Sequence, residues 1–457
     1  MTSRPSVGVV GAGLSGLTAA YRLQQGGVTV RLFEQSRGVG GRVQTVAKHG
    51  FLLDTGAAAA ASSYVSYLSL ARELGVLEDI LPTSPHIGIF RGSSLHHLRL
   101  DTLFRSGLLT SLVSPRSKLR LARLALDIIR ATKRGQLDYA DMRKAAPLDT
   151  ETAEDYALRA LNCELCDYLV DPIVRTMVIA DARRISKVEL FSGISNIFRA
   201  RICALKGGQG RIPKLLAERL DVRLQHEVTR VDWDGVRLQM NVRNSTGDLA
   251  REIFDACVIA CPLTAAARIC PNDAPLRALS AGLDYTQSIA VAVATRIRPA
   301  SPAFLVQMPA CEDGEIALMF LDHNKAADRA PAGKGLISCN WEAEASAAWS
   351  DRSDEEIGTR TLATIAKVFP ELAGQIDFLH VTRWAQALPY SRVGAYQQIG
   401  DFNAGLNVSS PLQFASDYMS AAGQNTAVEF GNKAAANLLK VLTTGTEASA
   451  RDGWALR

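Results

Sequence analysis

A chain of 457 residues exceeds what one ordinary core accommodates, so two domains are expected. Its 47% hydrophobic and 21% charged residues give a globular composition, and a net charge of +5 is too small at this length to argue for a nucleic-acid partner. The start, MTSRPSVGVV, lacks the apolar core of a secretory signal, and no apolar run of about eighteen residues follows, so a cytoplasmic protein without a membrane span is expected.

Val7–Val10 is a short β-branched run fit for a buried parallel strand. GAGLSG follows, with glycines at 11, 13 and 16, and then Leu14, Leu17, Ala20 and Leu23 repeat at helical spacing. Gly11 permits the turn, Gly13 lets the backbone approach a pyrophosphate, and Gly16 allows close helix–strand packing. The helix start then offers free N–H groups and a partial positive charge to the phosphates. A second strand, VTVRLFE, ends at Glu34, whose carboxylate suits the ribose hydroxyls of a dinucleotide. To this point NAD and FAD fit equally. Just beyond, EQSRGVGGRVQT sets Arg37, Gly40, Gly41 and Arg42 in a second glycine turn that carries two cations toward the same phosphates. GFLLDTGA, with Asp54, Gly56 and Ala57, comes next.

Residues 86–203 are mostly helical in pattern. Within them, Arg116, Arg120, Arg123, Asp127, Arg130 and Arg134 fall at alternating spacings of three and four, making one charged stripe on a helix. Such a basic amphipathic helix over 116–134 fits peripheral contact with an anionic membrane, but a domain helix with a solvated face is the favoured reading. Eight cysteines are scattered, and the Cys163–Cys166 pair lies in a helical pattern, so reduced structural thiols are expected rather than disulfides or a metal. Strands are expected at VRLQHEVTRVDWDG (222–235), DACVIACP (255–262), SIAVAVATRI and GLISCNW, with a helix at SDEEIGTRTLATIAKVF. The C-terminal stretch 412–439 reads as a strand, a polar turn and a helix rich in small residues.

Glu34, Arg37, Gly40, Gly41 and Arg42, followed by Asp54, Gly56 and Ala57, resemble the FAD-dependent amine oxidase superfamily of amine oxidases, protoporphyrinogen oxidases and carotenoid desaturases. Residues 204–220, 222–235, 255–262 and 412–439 are similar to its later segments. The resemblance implies an α/β fold: a Rossmann-like FAD-binding domain from 1–85, 204–270 and 403–457, and a discontinuous α+β substrate domain from 86–203 and 271–402 with a helical insertion. It implies FAD, with Glu34 at the adenosine ribose, Val228 at adenine, Arg42 at the pyrophosphate, Gly56–Ala57 at the flavin ring and Asp417 at the ribityl chain or pyrophosphate. The helix start at Asn425 and Thr426 would face the N1–C2=O edge, where its dipole favours the charge of a reduced flavin. Ser416 and Thr426 stand where the family has glycines.

RWAQALPYSRVGAYQQIGDF (383–402) is similar to the amine oxidase substrate segment, with one extra residue before G-x-Y. That similarity would set Tyr396 against the flavin face with Trp384 and Tyr390 as walls, and Ala395, where some relatives carry a cysteine, implies non-covalent FAD. LVDPIVRTMVIADARRISKVELF (169–191) resembles the protoporphyrinogen oxidase segment, with TMVIAD in place of its glycine-containing core. The implied chemistry is hydride transfer from a C–N bond, or a ring C–C bond heading for aromaticity, of a small hydrophobic substrate to flavin N5, with reoxidation by dioxygen or another acceptor. Alternatives are desaturation or isomerisation of an apolar substrate, and a non-catalytic binding protein on the same scaffold. No histidine set, paired carboxylates or metal ligands stand out, so no general base is named.

Overall fold

The computed structural model describes residues 4–138 and 141–452. β1 (Ser6–Val10), α1 (Leu14–Gln25) and β2 (Thr29–Glu34) form the opening strand–turn–helix–strand unit. Val7 and Val9 are fully buried, as β-branched residues must be in a parallel strand covered on both faces. β1 lies between β2 and the strand Ala256–Ile259, with Val9 opposite Leu32 on one side and Val258 on the other. Val222–Leu224 extends the sheet beyond β2 and Leu412–Phe414 extends it beyond Ala256–Ile259, all five strands parallel. One sheet thus draws strands from three distant parts of the chain.

The C-terminal helix Gln424–Asp452 lies along α1. Its small residues permit the approach: a Cβ on Gly431 would fall 2.5 Å from the Ser15 carbonyl oxygen. β3 (Thr45–Lys48) and β4 (Phe51–Asp54) make a separate antiparallel pair that leads into Thr55–Ala57.

A second sheet has seven strands, in the order Ile376–Trp384, Ser288–Thr295, Gly335–Trp341, Ile316–Leu321, Leu305–Gln307, His86–Arg91, Ser94–Arg99. Its pairings are antiparallel except that of Leu305–Gln307 with His86–Arg91. Helices from 103–199 cover one face, burying Leu124, Ile128, Val174 and Leu190 against Ile87, Ile89 and Leu318. Among them α3 (Leu103–Leu109) and α4 (Pro115–Lys133) follow α2 (Val65–Glu73) in the chain. α4 starts on a Ser114 cap with Pro115 at its first position. In TMVIAD, Ile179 ends the helix Asp171–Val178 with φ of 50°, a left-handed conformation costly for a β-branched residue. All eight cysteines are free thiols.

Candidate active site

The opening turn is tight because of its glycines. Gly11 has φ of 100°, and a Cβ there would meet the Ala260 carbonyl oxygen at 2.8 Å. A Cβ on Gly16 would sit 2.0 Å from the Gly11 oxygen, so α1 approaches the turn as only glycine allows. Gly13 differs: a Cβ there would have nothing within 4 Å. The space in front of the α1 N-terminus is open, and the helix start turns its unpaired N–H groups toward it. A pyrophosphate fits that space, so the residues present suit a dinucleotide.

Glu34 stands beside this space at the end of β2. Its carboxylate accepts from the Ala12 and Ser36 amides, each at 2.8 Å. Gly40 donates to the Ala12 carbonyl at 2.8 Å, and Gly41 comes against Gly13, which brings the second glycine turn alongside the first. Arg37 is exposed on the loop after β2. Val228 is buried on the strand Glu227–Trp233, two residues after His226, whose amide donates to the Glu34 carbonyl at 2.8 Å.

Arg42 joins three parts of the chain. One guanidinium nitrogen donates to the Ala387 carbonyl at 2.8 Å, another to Asp417 at 2.9 Å, and the group lies 5.7 Å from the Tyr285 ring centroid. Burial works against its charge, but Asp417 more than compensates and holds the guanidinium pKa above its ordinary value. Ser416 has extended backbone and donates to Asp417 at 3.2 Å, so a side chain in the glycine's place meets no strain. Gly56 leaves no room for a Cβ, which would fall 2.1 Å from the Arg42 carbonyl oxygen. Ala57 donates to that same oxygen at 2.9 Å, and the Trp384 indole donates to the Thr55 carbonyl at 2.7 Å. The Thr55–Ala57 loop, the Arg42 backbone and Trp384 therefore form one joint.

At the C-terminal helix, the Asn425 side chain turns back to cap α2, accepting from the Ser66 and Tyr67 amides at 2.9 and 3.2 Å. Thr426 is half-buried in the first turn, and Gln424 donates to the Ala59 carbonyl at 2.8 Å, fixing the helix start beside the alanine run 57–61.

The three substrate-side aromatics do not meet as walls of one cage. Gly394 has φ of 91° and starts the helix Ala395–Gly405, which turns Tyr396 into the interior. Tyr396 is fully buried beside Phe402, Phe414 and Tyr418. Its hydroxyl donates to Glu189 and its amide to Asp149, the latter at 3.0 Å. Tyr390 packs instead among the 103–199 helices, with Trp384 at the edge of that cluster. A cleft of about 320 Å³ lined by Tyr285, Gln386, Tyr390 and Arg392 opens next to Arg42's partner ring. The extra residue before Gly394 accompanies this helix start, whereas Glu189 and Asp149 carry no motif that would have marked them.

Residues 14–439 match the family described as flavin containing amine oxidoreductase. The coproporphyrinogen III oxidase of Mycobacterium bovis is 26% identical over 97% of this chain and 99% of its own length. The Staphylococcus aureus coproporphyrinogen III oxidase is 25% identical, over 47% of this chain and only 45% of that enzyme. The solved cyclohexylamine oxidase of Brevibacterium oxydans superposes with a TM-score of 0.77 at 19% identity, covering 96% of this chain and 100% of that one, and so shares the fold. The chain belongs to the flavin-containing amine oxidoreductase family and is a FAD-dependent oxidoreductase.

Proposed function

We propose that the protein takes a hydride from a ring of an apolar cyclic substrate on its way to aromaticity, in the manner its porphyrinogen-oxidising relatives' names suggest, rather than from an open amine. The observation that carries this preference is Tyr396: the residue matching the amine oxidase cage is locked in the core on Glu189. Similarity to a coproporphyrinogen III oxidase along nearly the whole of both chains supports it. FAD, when bound, would supply the hydride acceptor, with dioxygen or another acceptor as the final oxidant. The chain's own residues bind and orient. Glu34 would hold the adenosine ribose, the α1 start at Gly13 and the turn at Gly41 would receive the pyrophosphate, and Arg42 with Asp417 would hold the centre of the cofactor. The C-terminal helix start at Thr426 would offer its positive end to the flavin ring, and Gly56–Ala57 would border that ring. Ala395 offers no nucleophile, so the cofactor is held without a covalent bond. Anaerobic addition of porphyrinogens and of amines, read as bleaching of the flavin band, tests this reading; bleaching by amines alone overturns it.

The partner reading includes a membrane surface. Residues 103–134 hold eight lysines and arginines against one aspartate, a surplus of seven where the whole chain has five. α4 buries Leu124, Ile128 and Ala131 and leaves Leu119 79% exposed, while on α3 Phe104 is 80% and Leu109 75% exposed. Lys118 donates to the Leu108 and Thr110 carbonyls at 2.7 and 2.6 Å, which sets the end of α3 against the start of α4. Exposed apolar side chains in a segment with a surplus of cations match an anionic lipid surface, where an apolar substrate would be dissolved. No described helix is long and apolar enough to cross a membrane, so this contact would be peripheral. Cosedimentation with vesicles of anionic lipid should fall about fivefold for each of Arg116→Gln and Arg120→Gln, at about 1 kcal/mol per charge. Equal binding to zwitterionic vesicles, or none to either, overturns it.

A further inference from the structure

Four charged side chains are buried where the two sheets' parts of the chain meet. Asp54, Lys325 and Arg329 have no side-chain exposure and Asp322 has 1%. Asp54 ends β4, immediately before Thr55–Ala57. Lys325 and Arg329 come from the connection between Ile316–Leu321 and Gly335–Trp341 of the seven-stranded sheet. One Asp54 oxygen accepts from Lys325 Nζ at 3.1 Å and Arg329 Nε at 3.0 Å. The other accepts from the Thr45 hydroxyl at 2.7 Å and the Gln209 amide at 2.9 Å. Lys325 also pairs with Asp322 at 2.5 Å, and Arg329 donates onward to the Leu205 carbonyl at 2.8 Å.

Such a cluster is a poor way to gain stability, because desolvating four ions offsets most of their attraction and apolar residues of equal volume do as well. What it gives is direction. The four donors use the acceptor positions of the Asp54 carboxylate and so fix where β4 ends. The next residue takes the Trp384 indole on its carbonyl, and the one after that touches the Arg42 carbonyl with no room for a Cβ. A shift of Asp54 is therefore passed to Gly56 within two residues.

We propose that Lys325 and Arg329 are positioning residues that act through Asp54 to hold the Thr55–Ala57 loop in the place where it borders the flavin ring. This rests on the reading that Gly56–Ala57 lies at that ring. The two cations lie on the connection between two strands of the seven-stranded sheet, so the device ties the wall of the cofactor site to the sheet that would carry substrate.

The test compares the FAD-loaded wild type with Lys325→Met, Asp54→Asn and the double variant Asp322→Asn/Lys325→Met. The single changes leave one buried charge unmatched, and their fold is at risk. The double variant removes Lys325 together with its partner Asp322 and leaves Asp54 on Arg329, so its charges balance and it should fold with wild-type circular dichroism. Its FAD dissociation constant should rise about tenfold or more, in line with the cost of misplacing a site by an ångström, and its flavin absorption band and midpoint potential should move. A double variant that keeps the wild-type FAD affinity, band and potential overturns the proposal and leaves the cluster a purely structural role. A wild type that takes up no FAD instead sinks the underlying reading of the site, and the proposal with it, so the two failures are told apart.

Discussion

At the scale of single residues, the exchange between Tyr396 and Glu189 decides most. Glu189 is 3% exposed and accepts from the Ser391 hydroxyl at 2.7 Å and from Tyr396. Burial pushes its carboxyl above the ordinary range, against the pull of those two hydroxyls, and Asp149 nearby adds to the rise. A carboxyl raised in the folded state stabilises the fold fully below its ordinary value of 4.5, and that contribution is lost as pH rises through the folded value. Glu189→Gln should therefore gain stability relative to the wild type between pH 4 and pH 8, read by urea unfolding at each pH; a constant difference contradicts the assignment. Tyr396→Phe should lose about 1–3 kcal/mol of stability, as a buried acceptor loses a donor, with an unchanged rate of flavin reduction. A tenfold slower reduction would mean that the hydroxyl reaches the substrate. These roles were not legible in the sequence, because a tyrosine after a glycine looks the same facing a cofactor or a core. The packing roles of Gly11 and Gly16 were legible, since each answers a need of backbone geometry that the motif announces.

At the scale of elements, the β1–α1 turn separates packing from binding. Gly16→Ala would force a methyl to within 2.0 Å of the Gly11 oxygen. Gly13→Ala would place one in open space. The first should destabilise the fold by about 1–3 kcal/mol or more through overpacking. The second should leave the unfolding temperature of the FAD-free protein unchanged and weaken FAD binding, followed by calorimetric titration. Loss of fold in Gly13→Ala would contradict the open space. α4 shows where periodicity stops informing. The arginine stripe was plain from the sequence, and so was the helix. Which leucines face inward was not, because Leu119 and Ile129 lie off the Ser117, Leu121, Leu124, Ile128, Ala131 row that meets the neighbouring helices. The exposed α3 face beside it depends on a tertiary contact through Lys118 that no local pattern encodes.

At the scale of the whole molecule, pieces separated by some four hundred residues converge on one space. β1 and Leu412–Phe414 flank Ala256–Ile259 in one sheet, and Arg42 bonds to both Ala387 and Asp417. This convergence could be anticipated because each piece carries its own strand and turn pattern. The Asp54–Lys325–Arg329 cluster could not, since buried ions leave no periodic trace and LDHNKAADRAP reads as an ordinary polar connection. The same limit applies to the substrate: cofactor contacts are local and repeated, whereas a substrate wall is assembled from side chains that only the tertiary fold selects. The most direct measurement is anaerobic mixing of the purified, FAD-loaded protein with a porphyrinogen on one side and with primary and cyclic amines on the other, following the flavin band near ~450 nm. The protein should be yellow, with a band bleached by the porphyrinogen and restored by dioxygen. A protein that takes up no FAD, or a band bleached by amines alone, would contradict this reading.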